Sequence, residues 1–368
     1  MDNIVKVMSC QRRCNGFATY RCSNDDCGHA KVVPFTCGGR FCNRCGHKST
    51  QIWIAKQTNL LPETTWQHIT LTLPDVFWGL FWENRTMLND IARIAAGVIQ
   101  SIALERGIKV GIFTALHTFG RDLKRNVHIH LSVTCGGIKL NDLTWKSLYF
   151  AKSSVMQRWQ RSVLDWLDQC QQQPDFTYLP STIDNVRDAA YFAFQLDYYK
   201  NRYWHVHLGE PKKNHLHNVN YLGRYIKRPP IAESKLQHYD GNIVTFTYLN
   251  RTANAHQEKS MPVMTFIRKL TDHIPDRHFR NIRYYGFLAT SIRGKWLPLV
   301  RELLSLPDPI ERQQDSWDVM HWEAFGTDPL RCILCGSNMR LAGLTFCYSA
   351  TELRGFHQKL ALRKWIPC

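Results

Sequence analysis

Acidic residues are scarce in this chain, and long apolar runs, internal repeats and low-complexity tracts are missing from it. Asp and Glu number 30 against 47 Lys and Arg, which leaves a formal net charge of +17 before any histidine protonates. Such an imbalance is the electrostatic footprint of a polyanion binder, most often nucleic acid and less often an anionic membrane surface. No uninterrupted apolar run approaches the ~18–20 residues of a bilayer span. Met1 to Val7 has neither the basic n-region nor the apolar h-region of a secretory leader. A soluble, cytoplasmic protein with no membrane partner is expected. At 368 residues, a disulfide-stapled miniprotein is excluded and two or three domains have room for a core.

Cysteine, by contrast, is concentrated. Of 13 cysteines, seven fall between Cys10 and Cys45. In a reducing compartment such crowding reads as metal ligation rather than disulfides. Cys22-x4-Cys27 and Cys37-x4-Cys42-x2-Cys45 present thiolates in close sets suited to tetrahedral Zn²⁺, and Cys10 and Cys14 precede them. His29 and His47 are candidate fillers. Six or seven thiols exceed one ion and nearly satisfy two; the simpler alternative is one zinc with spare buried thiols. A structural role is expected, because a four-thiolate site has no open position for water or substrate. Arg40, Arg44 and Lys48 make this module basic, which suits DNA phosphates. Cys332-x2-Cys335 near the other end reads either as half of a further zinc site with Cys347 or as two packed thiols.

Three segments follow from patterning: a zinc-binding module over 1–55, a larger domain over 56–300 with a helical insertion at about 140–195, and a C-terminal extension over 301–368 carrying the second CxxC. In the middle segment, Gln67 to Leu73 alternates as a strand stopped by Pro74, and Leu88, Ile91, Ala95, Val98 and Ile102 are spaced as a helix ending at Gly107. Lys109–Phe119 and Val127–Thr134 read as a hairpin with a basic, exposed loop. Leu143 to Cys170 reads as a helix, Arg202–Leu208 and Ile243–Leu249 as strands, and Leu216–Arg228 and Pro262–Leu270 as helices, the former ended by Pro229-Pro230. Strands and helices interleaved in this way predict an α+β domain whose antiparallel sheet is covered by helices.

Two patterns carry chemistry. His128-Ile-His130 puts two imidazoles on one face of a strand, and His117 lies on the strand expected to face it, so three histidines can converge on one divalent ion. His-x-His alone is most often packing, and a second pair, His205-Val-His207, is read as simple strand alternation because no ligand-bearing partner strand precedes it. Tyr221 and Tyr225, four apart on the helix Asn218–Arg228, share a face beside the apolar stripe of Val219, Leu222 and Ile226. Their hydroxyls can reach a cleft while the rings pack, with Arg228 on the same flank for a phosphate. Arg224 and Lys227 on the same helix are further candidate DNA contacts. An isolated tyrosine pair of this kind is usually half-buried packing.

In order along the chain, Cys22 to Cys45, His117-Thr-Phe-Gly, His128-Ile-His130, Tyr221-Leu-Gly-Arg-Tyr225, Ile282-Arg-Tyr-Tyr-Gly-Phe-Leu288 and Asp328-Pro-Leu-Arg-Cys332 resemble the IS91 family of rolling-circle insertion-sequence transposases. The likeness covers about residues 10–295 together with the motif ending in Cys332 and Cys335. It implies an N-terminal zinc-binding domain joined to an HUH endonuclease domain that acts on single-stranded DNA element ends and targets. By matching position, His128 and His130 are the HUH pair, binding Mg²⁺ or Mn²⁺, and Tyr221 and Tyr225 are paired nucleophiles that hold a 5′-phosphate. Single-tyrosine relatives take a third metal ligand four residues after the nucleophile; here that position after Tyr225 is Pro229, which cannot ligate, and His117 is the candidate instead. Cys14 beside Cys10 departs from the family pattern and puts the zinc ligand set in question. Two other readings use part of the same set: a non-catalytic zinc-dependent DNA-binding regulator, and an HUH replication initiator.

Overall fold

The computed structural model describes residues 2–39, 42–173, 175–176, 189–213, 216, 219–220, 223, 229–250, 253–276, 279–307, 316, 318–319, 321–322, 326–346, 349, 351–355 and 358. Twelve strands lie among them: β1 (Gly16–Cys22), β2 (Ala30–Pro34), β3 (Trp66–Thr72), β4 (Ile108–Phe119), β5 (Arg125–Lys139), β6 (Trp145–Ser147), β7 (Val206–Leu208), β8 (Leu236–Tyr239), β9 (Ile243–Asn250), β10 (Ala255–Pro262), β11 (Ile282–Gly286) and β12 (Met339–Phe346). The helices used below are α1 (Asp2–Met8), α2 (Asn43–Leu60), α3 (Leu80–Glu83), α4 (Leu88–Leu104), α5 (Lys152–Gln171), α6 (Ala189–Lys200), α7 (Val263–Thr271) and α8 (Arg293–Leu303).

Two compact units divide the chain. One comprises Met1–Gln51, Lys227–Pro229 and Ile310–Cys368; the other comprises Ile52–Ile226 and Pro230–Pro309. In the first, β1 pairs antiparallel with both β2 and β12, so a strand from the 301–368 segment completes the sheet of the N-terminal module.

The second unit is an α+β domain. Its sheet runs β11-β4-β5-β3-β7 with β6 added beside β5, and each of these pairings is antiparallel. Alternation along the strands gives the sheet two faces. Ile69, Leu71, Ile112, Leu116, Ile129, Leu131 and Val133 point to one, where α4, α5 and α6 cover them. Arg85–Leu104 is long and apolar enough to cross a membrane by length and composition, but Leu88, Ile91, Ala95, Ala96 and Ile99 are buried in this core. The other face carries Phe113 and Ala115, packed with Trp53 and Leu61 from α2 and its end, Val219, Leu288, and Val300 of α8.

The strand Gln67–Leu73, the central helix and the hairpin appear as the sequence suggests; α4 ends before Gly107, whose φ of +67° turns the chain into β4. Other elements differ. The expected helix from Leu143 begins only at Lys152, because the Asp142 carboxylate accepts from the Thr144 amide and hydroxyl, at 3.1 and 2.6 Å, and folds 145–147 back as β6 against β5. The β4–β5 loop is not fully exposed either. Its Leu123 is buried with Ile231, Phe246, Met261 and Phe266, and Asp122 pairs with Lys259 at 3.2 Å, so the small sheet β10-β9-β8 and α7 hold the hairpin tip. The Tyr-Gly-Phe of the 282–288 motif also has a geometric reason. Gly286 has φ +62° and sets Phe287 over Gly111, where any Cβ would strike the Phe287 ring.

Candidate functional site

β4 and β5 place His117 directly opposite His128, and Ala115 opposite His130. Because side chains two apart share a face, all three imidazoles emerge on the face that also bears Phe113 and Ala115. Their ring centroids lie 4.6 to 5.3 Å apart, and one nitrogen from each falls within 4.8 Å of the others. His117 and His130 are buried, 3% and 8% exposed. His128 Nδ1 donates to the Asn126 carbonyl oxygen at 3.0 Å, which leaves the Nε2 lone pair for a ligand role. Burial pushes His128 down to about 4 against the opposing pull of that hydrogen bond, so the ring is neutral at physiological pH. Neutral imidazole is the form that binds a metal, and three converging imidazole nitrogens on rigid paired strands fit one divalent ion with positions left open.

A fourth histidine stands behind them. His68 on β3 shares this face, stacks on His130 with centroids 5.1 Å apart, and brings Nε2 within 3.0 Å of His130 Nδ1, while Thr70 Oγ1 lies 3.4 Å from the same nitrogen. Burial, with His207 nearby, pushes His68 down to about 4. This contact fixes ring orientation in the way that partners of metal-ligating histidines do. His68 was not singled out by the sequence reading. Its signal, an alternation in Gln67-His-Ile-Thr that puts it on one face with Thr70, becomes informative only once β3 is known to pair with β5. His205 and His207 lie outside the three-histidine group; His205 is exposed, and its carbonyl accepts from the Thr72 hydroxyl at 2.7 Å.

Tyr221, Tyr225, Arg224, Lys227 and Arg228 lie outside the described residues. Two residues of the same stretch of sequence are described. Val219 is fully buried among Phe113, Ala115, Trp53 and Trp66, and Gly223 sits so close to α2 that a Cβ would lie 2.8 Å from Ile54 Cγ1. That packing is on the histidine-bearing face of the sheet. Gly223, between the two tyrosines in sequence, thus marks a close approach to α2.

The seven clustered cysteines separate. Cys10, Cys37, Cys42 and Cys45 bring their sulfurs together, with Cys10–Cys42 at 3.5 Å, Cys37–Cys45 at 3.6 Å and Cys10–Cys45 at 3.7 Å. α2 supplies Cys45 in its first turn, and the Cys37 and Gly39 amides point at the Cys10 and Cys37 sulfurs, at 3.4 and 3.3 Å. Burial pushes the Cys10 thiol up to about 11, a penalty on the thiolate that a bound cation reverses. Cys22 and Cys27 lie with Cys332 and Cys335 instead, and Cys14 belongs to neither set. Cys347 is outside the described residues.

Comparison with known proteins agrees with these features. A family profile described as "Putative transposase" matches residues 111–295, which include the three histidines, and one described as "Transposase zinc-binding domain" matches residues 1–73. The chain is 38% identical over 350 residues to the transposase for insertion sequence element IS801 of Pseudomonas savastanoi pv. phaseolicola, covering 94% of this chain and 85% of that protein. It is 28% identical over 301 residues to a protein of Sinorhizobium fredii named "Putative transposase", covering 78% and 75%. No solved structure matches. The domain is thus that of a DNA transposase, an enzyme that cuts and transfers strands, with a zinc-binding module at its N-terminal end. The chain belongs to the IS91 family of insertion-sequence transposases, the family of the IS801 enzyme.

Proposed function

We propose that this transposase cleaves and rejoins single-stranded DNA through a 5′-phosphotyrosine intermediate, in rolling-circle-type transposition of its insertion sequence. The observation that carries the reading is the convergence of His117, His128 and His130, with mutually close nitrogens on paired strands, on the sheet face where Val219 and Gly223 pack. These imidazoles would hold Mg²⁺ or Mn²⁺, which supplies Lewis-acid polarisation of the scissile phosphate. The hydroxyl oxygen of Tyr221 or Tyr225 attacks phosphorus as its proton passes to solvent, the bond from phosphorus to the 3′-oxygen breaks, and that oxygen takes up one proton from solvent to become a 3′-hydroxyl. Attack by a 3′-hydroxyl on the phosphotyrosine reverses these changes. The aryl ester conserves the bond energy, so rejoining needs no nucleotide cofactor.

Arg224, Lys227 and Arg228 would meet DNA phosphates, and the +17 charge supplies sequence-independent affinity. Single strands suit the site because the phosphodiester must bend into a cleft, which a stacked duplex resists. Cys10, Cys37, Cys42 and Cys45 would hold a structural zinc: four converging thiols leave no position open for a substrate. A location in the bacterial cytoplasm, at the nucleoid, goes with this substrate.

The test is a labelled single-stranded oligonucleotide from the element's terminus, incubated with protein and Mn²⁺, then denatured. A covalent adduct is expected with the wild type, none with the double variant Tyr221→Phe/Tyr225→Phe, and some with each single variant. A full yield of adduct from the double variant would overturn the assignment, and binding without any adduct in the wild type would favour a non-catalytic regulator.

A further inference from the structure

Four cysteines outside the first cluster come from opposite ends of the sequence. We infer that Cys22, Cys27, Cys332 and Cys335 form a second structural zinc site, which makes residues 327–346 an integral part of the N-terminal module. This inference does not depend on the tyrosine mechanism.

Geometry is the first argument. The four sulfurs all lie within 4.8 Å of one another, with Cys22–Cys335 at 3.4 Å and Cys27–Cys332 at 3.7 Å. A tetrahedron of sulfurs about 2.3 Å from Zn²⁺ has edges of about 3.8 Å, whereas a disulfide needs about 2.05 Å. The set therefore has the size of a zinc site and not of two crosslinks, and among the described residues it is complete at four without Cys14.

Backbone design is the second. Each pair sits on a tight turn that closes with a glycine immediately after the second cysteine, Gly28 at φ +64° and Gly336 at φ +74°. A Cβ on either glycine would meet nothing within 4 Å, so these positions need the left-handed conformation rather than space. In the first turn the Cys22 amide donates to the His29 carbonyl at 2.9 Å, the Cys27 amide to the Asn24 carbonyl at 3.1 Å, and the Asn24 amide to Cys22 Sγ at 3.4 Å. In the second, the Cys332 amide donates to the Ser337 carbonyl at 2.8 Å and the Gly336 amide to the Cys332 carbonyl at 2.9 Å. Both turns thus aim two sulfurs at one point. The sheet then sets the turns side by side, because Cys22 at the end of β1 is paired with Met339 at the start of β12.

Stability is the third argument. Among the described residues, β12 has only Met339 buried; Leu341, Leu344 and Phe346 are 56%, 50% and 79% exposed. A three-stranded sheet with so little buried apolar surface needs another organiser, and a metal is the usual one for a module of this size. Arg21 also faces Arg340 across β1 and β12, one residue from Cys22 and Met339. Like charges opposite each other destabilise a strand pair; four thiolates around one Zn²⁺ carry a net charge of −2 and offset them.

Two measurements on the full-length protein test the site. In the zinc-loaded wild type, iodoacetamide labelling read by peptide mass spectrometry should spare Cys335 despite its exposure. Stripping zinc with a chelator should make Cys22, Cys27, Cys332 and Cys335 reactive together. Elemental analysis in Mg²⁺ buffer should find that Cys332→Ser/Cys335→Ser carries one zinc fewer per chain than the wild type, while Cys14→Ser carries the same number. Labelling of Cys335 as fast in the zinc-loaded protein as after chelation, or an unchanged zinc content in a folded double variant, would overturn the inference. Should the double variant unfold, the wild-type labelling pattern decides.

Discussion

Replacing Gly223 by alanine tests whether its contact with α2 positions the proposed tyrosine nucleophiles, apart from the stability of the domain. The added Cβ would lie 2.8 Å from Ile54 Cγ1, 3.0 Å from its Cδ1 and 3.4 Å from Trp53 Cε3. Ordinary carbon contacts begin near 3.5 Å, so the backbone at Gly223 or Ile54 must give by roughly 0.5–0.7 Å, the difference between those separations. Overpacking of this kind costs about 1–3 kcal/mol, and alanine returns about 1 kcal/mol of helix propensity over glycine. The net destabilisation is about 0–2 kcal/mol, or at most about 8 °C in Tm at ~2–4 °C per kcal/mol for a domain of this size. Chemistry is more sensitive, since a displacement near 1 Å at a reacting group costs up to ~100-fold. The expected result is a small fall in Tm with a 10- to 100-fold slower appearance of covalent adduct, estimated on that positional sensitivity. Adding Ile54→Ala removes the struck atoms and should recover most of the rate at some further cost in Tm. An alanine variant that forms adduct at the wild-type rate, or a double variant that recovers nothing, would refute the reasoning that this contact positions the proposed nucleophiles Tyr221 and Tyr225.

His117→Ala, His128→Ala and His130→Ala should each abolish cleavage while leaving oligonucleotide affinity, measured by anisotropy, within a few-fold of wild type; His205→Ala should cleave normally, because its ring is exposed and outside the group. His68→Phe keeps a stacked ring but removes the 3.0 Å contact to His130 Nδ1, so the Mn²⁺ concentration for half-maximal cleavage should rise about 10–100-fold, with activity regained at high metal. Acidification should destabilise the metal-stripped protein. His68, His128 and His273 are held near 4 by burial, so below the ~6.5 of an unfolded imidazole the unfolded chain takes up protons that the folded chain refuses. The contribution of these three histidines is then constant above about pH 6.5 and falls toward pH 4; denaturant midpoints at pH 7.5 and 5.0 check this, and an equal midpoint at both would contradict it.

Chemistry carried by residue type and local spacing was legible from the sequence. The +17 charge, the crowded cysteines, the central helix of Leu88 to Ile102 and the histidine hairpin all follow from composition or from periods of two and 3.6 residues, which backbone geometry imposes on any chain. His117 facing His128 needed only a hairpin register, and the hairpin is a local contact. Partners distant in sequence were decided by tertiary structure. His68 joins the site because β3 pairs with β5 some sixty residues away, the loop at Leu123 is buried because a later sheet closes on it, and Gly223 owes its place to a side chain at Ile54. Cys22 and Cys27 meet Cys332 and Cys335 across three hundred residues. No periodicity reports such a pairing, because the free energy that selects it comes from burial and from sulfur geometry in the assembled module, and neither exists in any short stretch of the chain.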